Sequence, residues 1–308
     1  MSKSSRPLFL LLGVAAASAL VLSGCASSGG SGGNSTPAGG GGSSQTGSGG
    51  GTPAGAVASV VKLVPSSIAS KGTVTIAMDA TYPPDESVAP DGHTIVGFDA
   101  DLGNALAKVM GLKAQLQNVT FDNIIPGLQS GKYDIGLSSF TDTKAREKVV
   151  DFVDYFKAGE AFYVKSGSSK KFNGLSSLCG SKVAVENGTT ELDDANAQKK
   201  KCSLTVLSFS DQSQANLAVS SGRADVGFAD SQVVGYIVKQ SNGQFQVSGQ
   251  PFGVAPYGIA LPKGNGMAKA VEAALQQLMK DGTYSQLLKK WGVQSGGISK
   301  VTINGATS

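Results

Sequence analysis

Ser130-Gly131-Lys132-Tyr133-Asp134-Ile135-Gly136-Leu137-Ser138-Ser139 recurs, in looser form, as Ser221-Gly222-Arg223-Ala224-Asp225-Val226-Gly227-Phe228-Ala229-Asp230. Each copy follows a helical-looking stretch, Ile124 to Gln129 or Ala215 to Ser220, and stops at a glycine. A basic residue, one spacer and an aspartate then lead into a short apolar run. Glycine is favoured just past a helix because it adopts left-handed backbone without a Cβ clash. A single copy would be an ordinary helix stop before a strand. Two copies predict one helix-to-strand unit built twice, and hence two similar α/β lobes. Both copies end at the carboxyl end of a strand, where open α/β sheets bind ligands. The expectation is a pair of lobes facing each other across a small-molecule cleft.

The flanking sequence fits an α/β chain. Thr73 to Met78, Leu112 to Val119, Lys182 to Glu186, Leu204 to Phe209 and Gly258 to Leu261 read as strands. Val149 to Val164 is rich in β-branched and aromatic residues. Leu102, Ala105, Leu106, Val109 and Met110 share one helical face, with Asp99 as a candidate cap and Gly111 at the end. Met267 to Met279 and Tyr284 to Lys290 read as further helices. No linker separates the two repeat copies, so strands are expected to cross between lobes near Phe162 to Val164 and Pro251 to Tyr257.

The first residues point outside the cytoplasm. Lys3 and Arg6 precede an uncharged apolar run, Leu8 to Leu22, too short for a comfortable membrane span and shaped like a signal peptide. It ends in Leu22-Ser23-Gly24-Cys25, which resembles the lipobox of bacterial lipoproteins. That resemblance implies cleavage after residue 24 and a lipid-modified Cys25. Ala26 to Ala56 holds no charge and no large apolar residue, so it reads as a flexible tether. The expected layout is a leader at 1–24, the lipidated cysteine and tether at 25–70, one lobe at 71–162 plus 256–308, and a second at 163–255.

Charge and cysteines narrow the function classes. The net charge is +4, of which the leader carries two positives and no acid. The remainder is too mild to imply nucleic acid. Cys179 and Cys202 remain as a pair in an exported chain, which predicts a disulfide. The lone histidine, His93, sits in a turn-like Pro90-Asp91-Gly92-His93-Thr94, and no metal or cofactor motif appears.

Further motifs follow one another along the chain. They are Asp79-Ala80-Thr81-Tyr82-Pro83-Pro84, Gly97-Phe98-Asp99-Ala100-Asp101-Leu102, Ile125-Pro126-Gly127-Leu128 with the first repeat copy, and Arg146 before Val150-Asp151-Phe152. Glu186-Asn187-Gly188-Thr189-Thr190, the second copy, Tyr257-Gly258-Ile259-Ala260 and Asp281-Gly282-Thr283-Tyr284 come after them. Together they resemble the polar-amino-acid branch (family 3) of the periplasmic solute-binding proteins that serve ABC importers, in its lipoprotein form. The resemblance spans Gly72 to Trp291. It implies the type II two-lobed periplasmic-binding-protein fold: each lobe a mostly parallel sheet flanked by helices, joined by two crossover strands. It also implies a monomer, anchored by lipid on the outer face of the cytoplasmic membrane, that hands a free L-amino acid to a permease.

An α-amino acid presents a carboxylate and an ammonium close together. Its site needs a fixed cationic fork, a carboxylate and neutral donors. The chain has only three arginines. Arg6 lies in the leader and Arg223 matches Lys132 in the repeat, so Arg146 is the one suited to bidentate carboxylate binding. Ser138, Ser139 and Thr141 supply donors beside it. Thr189 and Thr190 follow the permissive Gly188 in the other lobe. By resemblance, Asp230 holds the ammonium, Tyr82 forms an aromatic wall with Phe140 beside it, and Asp79 and Asp99 contact the ligand or shape its pocket. The family often has phenylalanine after Tyr-x-Pro, where this chain has Asp85-Glu86. The sequence leaves open whether these acids face the cleft or water. If they face the cleft, they favour a cationic or polar ligand such as arginine, lysine or glutamine. Two other functions compete: a dehydratase-like enzyme on the same scaffold, with Glu160 or Glu186 as its acid, and a ligand-sensing partner of a receptor. The absence of a Ser-His-Asp set, a phosphate loop and metal-ligand clusters argues for a non-catalytic carrier.

Overall fold

The structure, a computed structural model, describes residues 53–307. The expected leader, Cys25 and the tether as far as residue 52 lie outside the described residues. The chain begins with two short helices, α1 (Ala58–Val61) and α2 (Ser66–Ala69), and then β1 (Thr73–Met78). β2 (Thr81–Tyr82), β3 (Glu86–Val88) and β4 (Ile95–Val96) make a small antiparallel sheet of their own. α3 (Phe98–Val109), β5 (Lys113–Asn118), α4 (Ile124–Gln129), β6 (Ile135–Gly136) and the long β7 (Val150–Lys165) follow. Next come β8 (Lys182–Glu186), α5 (Thr190–Lys199), β9 (Thr205–Phe209), α6 (Gln212–Ser220), β10 (Val226–Asp230), α7 (Ser231–Gln240) and the long β11 (Phe245–Pro262). α8 (Met267–Lys280), α9 (Thr283–Trp291) and β12 (Gly297–Ile303) close the chain.

The main sheet runs β5-β1-β6-β11-β7-β10-β8-β9, with β12 added to β7. Its two outer triplets, β5-β1-β6 and β10-β8-β9, are each parallel, and each belongs to one lobe. β7 and β11 pair antiparallel with each other from Phe245–Lys165 at one end to Pro262–Val150 at the other. Both strands therefore run through both lobes; the expected crossing at Pro251 to Tyr257 falls in β11 at the register shifts, but Phe162 and Tyr163 already pair with Phe228 and Gly227 of β10, so β7 crosses earlier than Phe162 to Val164. The ladder shifts register between Ser248 and Phe252 and again before Ala255, where the strands pass from lobe to lobe.

The sequence repeat is a structural repeat down to single hydrogen bonds. Gly131 and Gly222 both end their helices at positive φ, 72° and 74°. Asp134 Oδ2 accepts the Thr75 N–H at 2.9 Å, and Asp225 Oδ2 accepts the Lys182 N–H at 2.9 Å. Each aspartate thus ties its own strand to the start of the neighbouring parallel one. Each also pairs with a lysine, Lys71 at 3.0 Å and Lys170 at 2.9 Å. The repeat aspartates are scaffold residues. What they place at the cleft are the strand ends beyond them, Ser138-Ser139 and Asp230.

α3 and α8 bury one apolar face each against the first-lobe sheet, with Leu102, Leu106, Val271 and Leu275 in one core. A second-lobe core gathers around Phe162, Phe172 and Phe228. Three details differ from the sequence reading. The tether does not extend to residue 70: Val60, Val64 and Ile68 on and between α1 and α2 are buried in the first-lobe core, as apolar side chains at near-helical spacing would be. Asp99 does not cap α3, whose N-cap is Gly97 without a side-chain hydrogen bond, although Gly111 does follow its end at φ 74°. Helices α5 and α7 and strand β12 also went unread. Cys179 and Cys202 are disulfide-bonded, as expected.

Candidate functional site

Arg146 lies in a short 3-10 turn, Arg146–Lys148, between the end of the first repeat copy and β7. Its guanidinium donates to the Thr141 carbonyl at 2.8 Å and, across the cleft, to the Gly188 carbonyl at 2.8 Å. It also lies over the rings of Phe121 and Phe140, 5.5 Å from each centroid. Those rings stack on each other with centroids 4.3 Å apart. Backbone acceptors and aromatic faces fix the fork, leaving its remaining N–H groups for a carboxylate.

Asp230 ends β10 on the opposite lobe and lines the same cavity as Arg146, together with Thr141, Thr190 and Glu160. That cavity measures about 690 Å³, within the usual range for small-ligand sites. Burial, reinforced by the Glu191 charge, raises the Asp230 pKa well above the carboxylate range. Such a group awaits a cation. Thr189 caps α5, accepting from the Leu192 N–H at 3.1 Å while its hydroxyl donates to the Glu186 carbonyl at 2.9 Å. Thr190 donates to Glu191 Oε2 at 3.2 Å, and Glu191 Oε1 has no partner.

Deeper in the cleft a second set of polar atoms converges. Tyr82, Glu186, Glu191, Gln212 and Asp230 line a small void of about 10 Å³. The Tyr82 hydroxyl and both Glu186 oxygens are buried without hydrogen-bond partners. Asp79 faces Glu186 from the first lobe, held by Thr81 Oγ1 at 2.7 Å and the Phe121 N–H at 2.9 Å. Burial, then the Asp79 charge, pushes Glu186 up to about 10. Asp79 itself is raised, again chiefly by burial. Glu160, at the outer end, is pushed up to about 9 by burial and by the charges of Glu191 and Asp194.

Asp99 lies behind the site at 0 % exposure, and its Oδ2 accepts from the Ser139 N–H at 3.0 Å and the Tyr155 hydroxyl at 2.7 Å. It shapes the loop that carries Ser139, which sits at φ 49°, and lines none of these cavities. Ser138 is also fully buried: its hydroxyl accepts from the Asp79 N–H at 2.8 Å and donates to Glu86 Oε1 at 2.6 Å. Phe140 acts through its stack with Phe121 and Arg146. Asp85 and Glu86 turn inward, both buried. Of the predicted residues, Tyr82, Ser139, Thr141, Arg146, Thr189, Thr190 and Asp230 line cleft cavities, while Asp79, Asp99, Ser138 and Phe140 support them from behind. Sequence reading missed Phe121, Glu191 and Gln212. Glu191 directly follows Thr190 and lies in the first turn of α5, a helix the sequence reading did not find. Among the described residues no cluster of His, Cys, Asp or Glu is arranged to hold a metal ion, and no helix is long and apolar enough to cross a membrane.

Comparison with known proteins agrees with this fold. Residues 74–294 match the family model for bacterial extracellular solute-binding proteins, family 3. The arginine-binding protein ArgT of Corynebacterium glutamicum is 33% identical over 255 residues, covering 80% of this chain and 83% of that one. The ABC transporter glutamine-binding protein GlnH of Bacillus subtilis is 38% identical over 208 residues, covering 66% of this chain and 74% of that one. An ancestral arginine-binding protein solved with arginine bound superposes with a TM-score of 0.68 at 38% identity, covering 71% of this chain and 98% of that one. With the family model spanning both lobes and the cleft between them, the chain belongs to the bacterial extracellular solute-binding proteins of family 3.

Proposed function

We propose that this protein captures a cationic or polar L-amino acid, arginine foremost with lysine and glutamine next, and delivers it to an ABC permease. One observation carries the reading: a fixed arginine fork and a buried aspartate face the same cavity from opposite lobes, among an excess of buried carboxyl groups. The ligand carboxylate takes the free edge of Arg146, and its ammonium takes Asp230 with Glu191 behind it. The side chain points towards Tyr82, Glu186 and Asp79, where the unpartnered oxygens of Tyr82 and Glu186 would accept guanidinium, ammonium or amide hydrogens. Each lobe contributes half of the contacts, so only the closed form binds fully and the ligand shifts the open–closed balance.

The lobes are assigned to 71–162 plus 256–308 and to 163–255, except that Glu160 to Phe162 already pair with β10 of the second lobe and that the packed segment 58–70 joins the first. Lipid on Cys25 and the uncharged tether hold the domain at the outer face of the membrane as a monomer. A non-catalytic role agrees with the relatives, which are binding proteins by name. A thermal-shift screen of the free amino acids tests the proposal. A ligand present at about 100 times its Kd adds about 2.7 kcal/mol of stability, so arginine should raise Tm by several degrees. No rise with any amino acid, or steady chemical conversion of the one that binds, would overturn it.

A further inference from the structure

Asp85 is 2 % exposed and lies between β2 and β3 of the first lobe. Its backbone is pinned twice: its N–H donates to the Tyr82 carbonyl at 2.8 Å, and its carbonyl accepts from the Asp99 N–H at 2.9 Å. Gly97 packs so tightly against it that a Cβ there would fall 2.0 Å from the Asp85 carbonyl oxygen. The carboxylate therefore has a fixed aim. Oδ2 accepts from Ser139 Oγ at 3.0 Å within its own lobe and from Gln232 Nε2 at 2.8 Å in the other. Gln232 is in the first turn of α7, just after Asp230. The same Nε2 donates its other hydrogen to the Tyr257 hydroxyl on β11 at 3.0 Å. One side-chain amide thus joins the first lobe, a crossover strand and the helix that follows Asp230.

Neither Asp85 nor Gln232 lines the ligand cavities, although the Tyr257 hydroxyl that Gln232 meets also lies against Asp230. Two other cross-lobe hydrogen bonds, Arg146 to Gly188 and the Gln212 N–H to Thr81 Oγ1 at 3.3 Å, lie along the cleft. Gln232 instead lines a separate space of about 290 Å³ beside the crossover strands, with Ala158, Gly159 and Val254.

The geometry points to Asp85 and Gln232 as a latch that sets the balance between open and closed lobes, and so the release rate of the ligand, without touching the ligand. The inference rests on the solute-binding reading. A hydrogen bond to a carboxylate in a dry site is stronger than its exchange for water, so the contact favours the closed arrangement. Apparent affinity is the intrinsic affinity scaled by the population competent to close, so a weaker latch lowers affinity chiefly through faster dissociation. Asp85 and Gln232 are positioning residues in this account.

Gln232→Ala removes the donor and Gln232→Lys sets an ammonium opposite Asp85. Small-angle scattering of the ligand-free full-length protein and stopped-flow release of L-arginine read the effect. The alanine variant should be less compact than wild type and release arginine about tenfold faster, with little change in association rate. The lysine variant should move both readouts the other way, which a packing role for Gln232 would not produce. Unchanged compactness in both variants would overturn the latch. A failure of arginine to bind wild type would instead count against the solute-binding reading, and the scattering comparison would still decide the latch.

Discussion

Replacing Glu186 with glutamine should remove a proton from the binding reaction. Glu186 is buried deep in the cleft, with its pKa at about 10. At pH 7, about three units lower, ionising it costs about 4 kcal/mol. In the empty cleft the group is therefore a neutral acid. A guanidinium or ammonium set against it favours the carboxylate, so its pKa falls in the complex and the complex holds fewer protons than its parts. By linkage, affinity for arginine rises with pH between the lowered pKa and about 10, approaching about tenfold per unit with about one proton released. Calorimetry between about pH 7 and 8, in buffers of different ionisation enthalpy, counts that proton. Glu186→Gln keeps the shape but cannot ionise, so the count for arginine should drop by about one and the pH slope flatten. Burial and the Glu191 charge raise the Asp230 pKa as well, but Asp230 meets the α-ammonium of every ligand, so any proton it exchanges cancels in the comparison between wild type and variant. Glutamine, with a neutral side chain, should give the same count in both proteins. Equal counts for arginine in wild type and variant would refute the placing of the ligand side chain at Glu186.

Other substitutions separate site from scaffold. Arg146→Lys keeps the charge but loses the two carbonyl-held arms and the planar fork, so binding should weaken at least about tenfold by calorimetry. Arg223→Lys, on a side chain stacked 5.1 Å from the Phe209 centroid at the repeat turn, should leave affinity unchanged, and similar effects of the two would defeat the assignment of Arg146. Opening the Cys179–Cys202 bridge by a double alanine substitution should lower unfolding stability by about 3 kcal/mol in denaturant titrations, with ligand affinity largely retained because the bridge lies away from the cleft. Cys25→Ala should release the protein from the membrane fraction; unaltered fractionation would reject the lipid anchor.

The lobes were legible because the repeat carries its own stereochemistry: a glycine at positive φ and an aspartate bonded to the next strand recur at equivalent places. Arg146 was legible by chemistry, as the arginine that neither the leader nor the repeat explains. Less local features were not. Phe121 opens a short 3-10 turn and becomes a site residue only because Phe140 and Arg146 fold onto it. α5 is polar almost throughout, so it has little hydrophobic period to read. α7 starts directly at the strand end, with no side-chain cap to announce it. The destination of Asp85 and Glu86 depended on a loop whose path is set by contacts with Gly97 and Ser138, far along the chain. Asp99 followed the helix-start pattern but was recruited by Ser139 and Tyr155 instead, since tertiary partners outcompete a local cap.

The central claim is that the cleft binds an amino acid by its two charged ends and returns it unchanged. Its most direct test is calorimetric titration of the full-length protein with L-arginine, L-lysine, L-glutamine and arginine methyl ester, followed by mass spectrometry of the recovered ligand. The account predicts saturable binding of L-arginine at one site, at least about tenfold loss when the ester removes the carboxylate charge that Arg146 holds, and chemically intact ligand after long incubation. Ester binding as tight as the free acid, or recovery of a converted product, would contradict it.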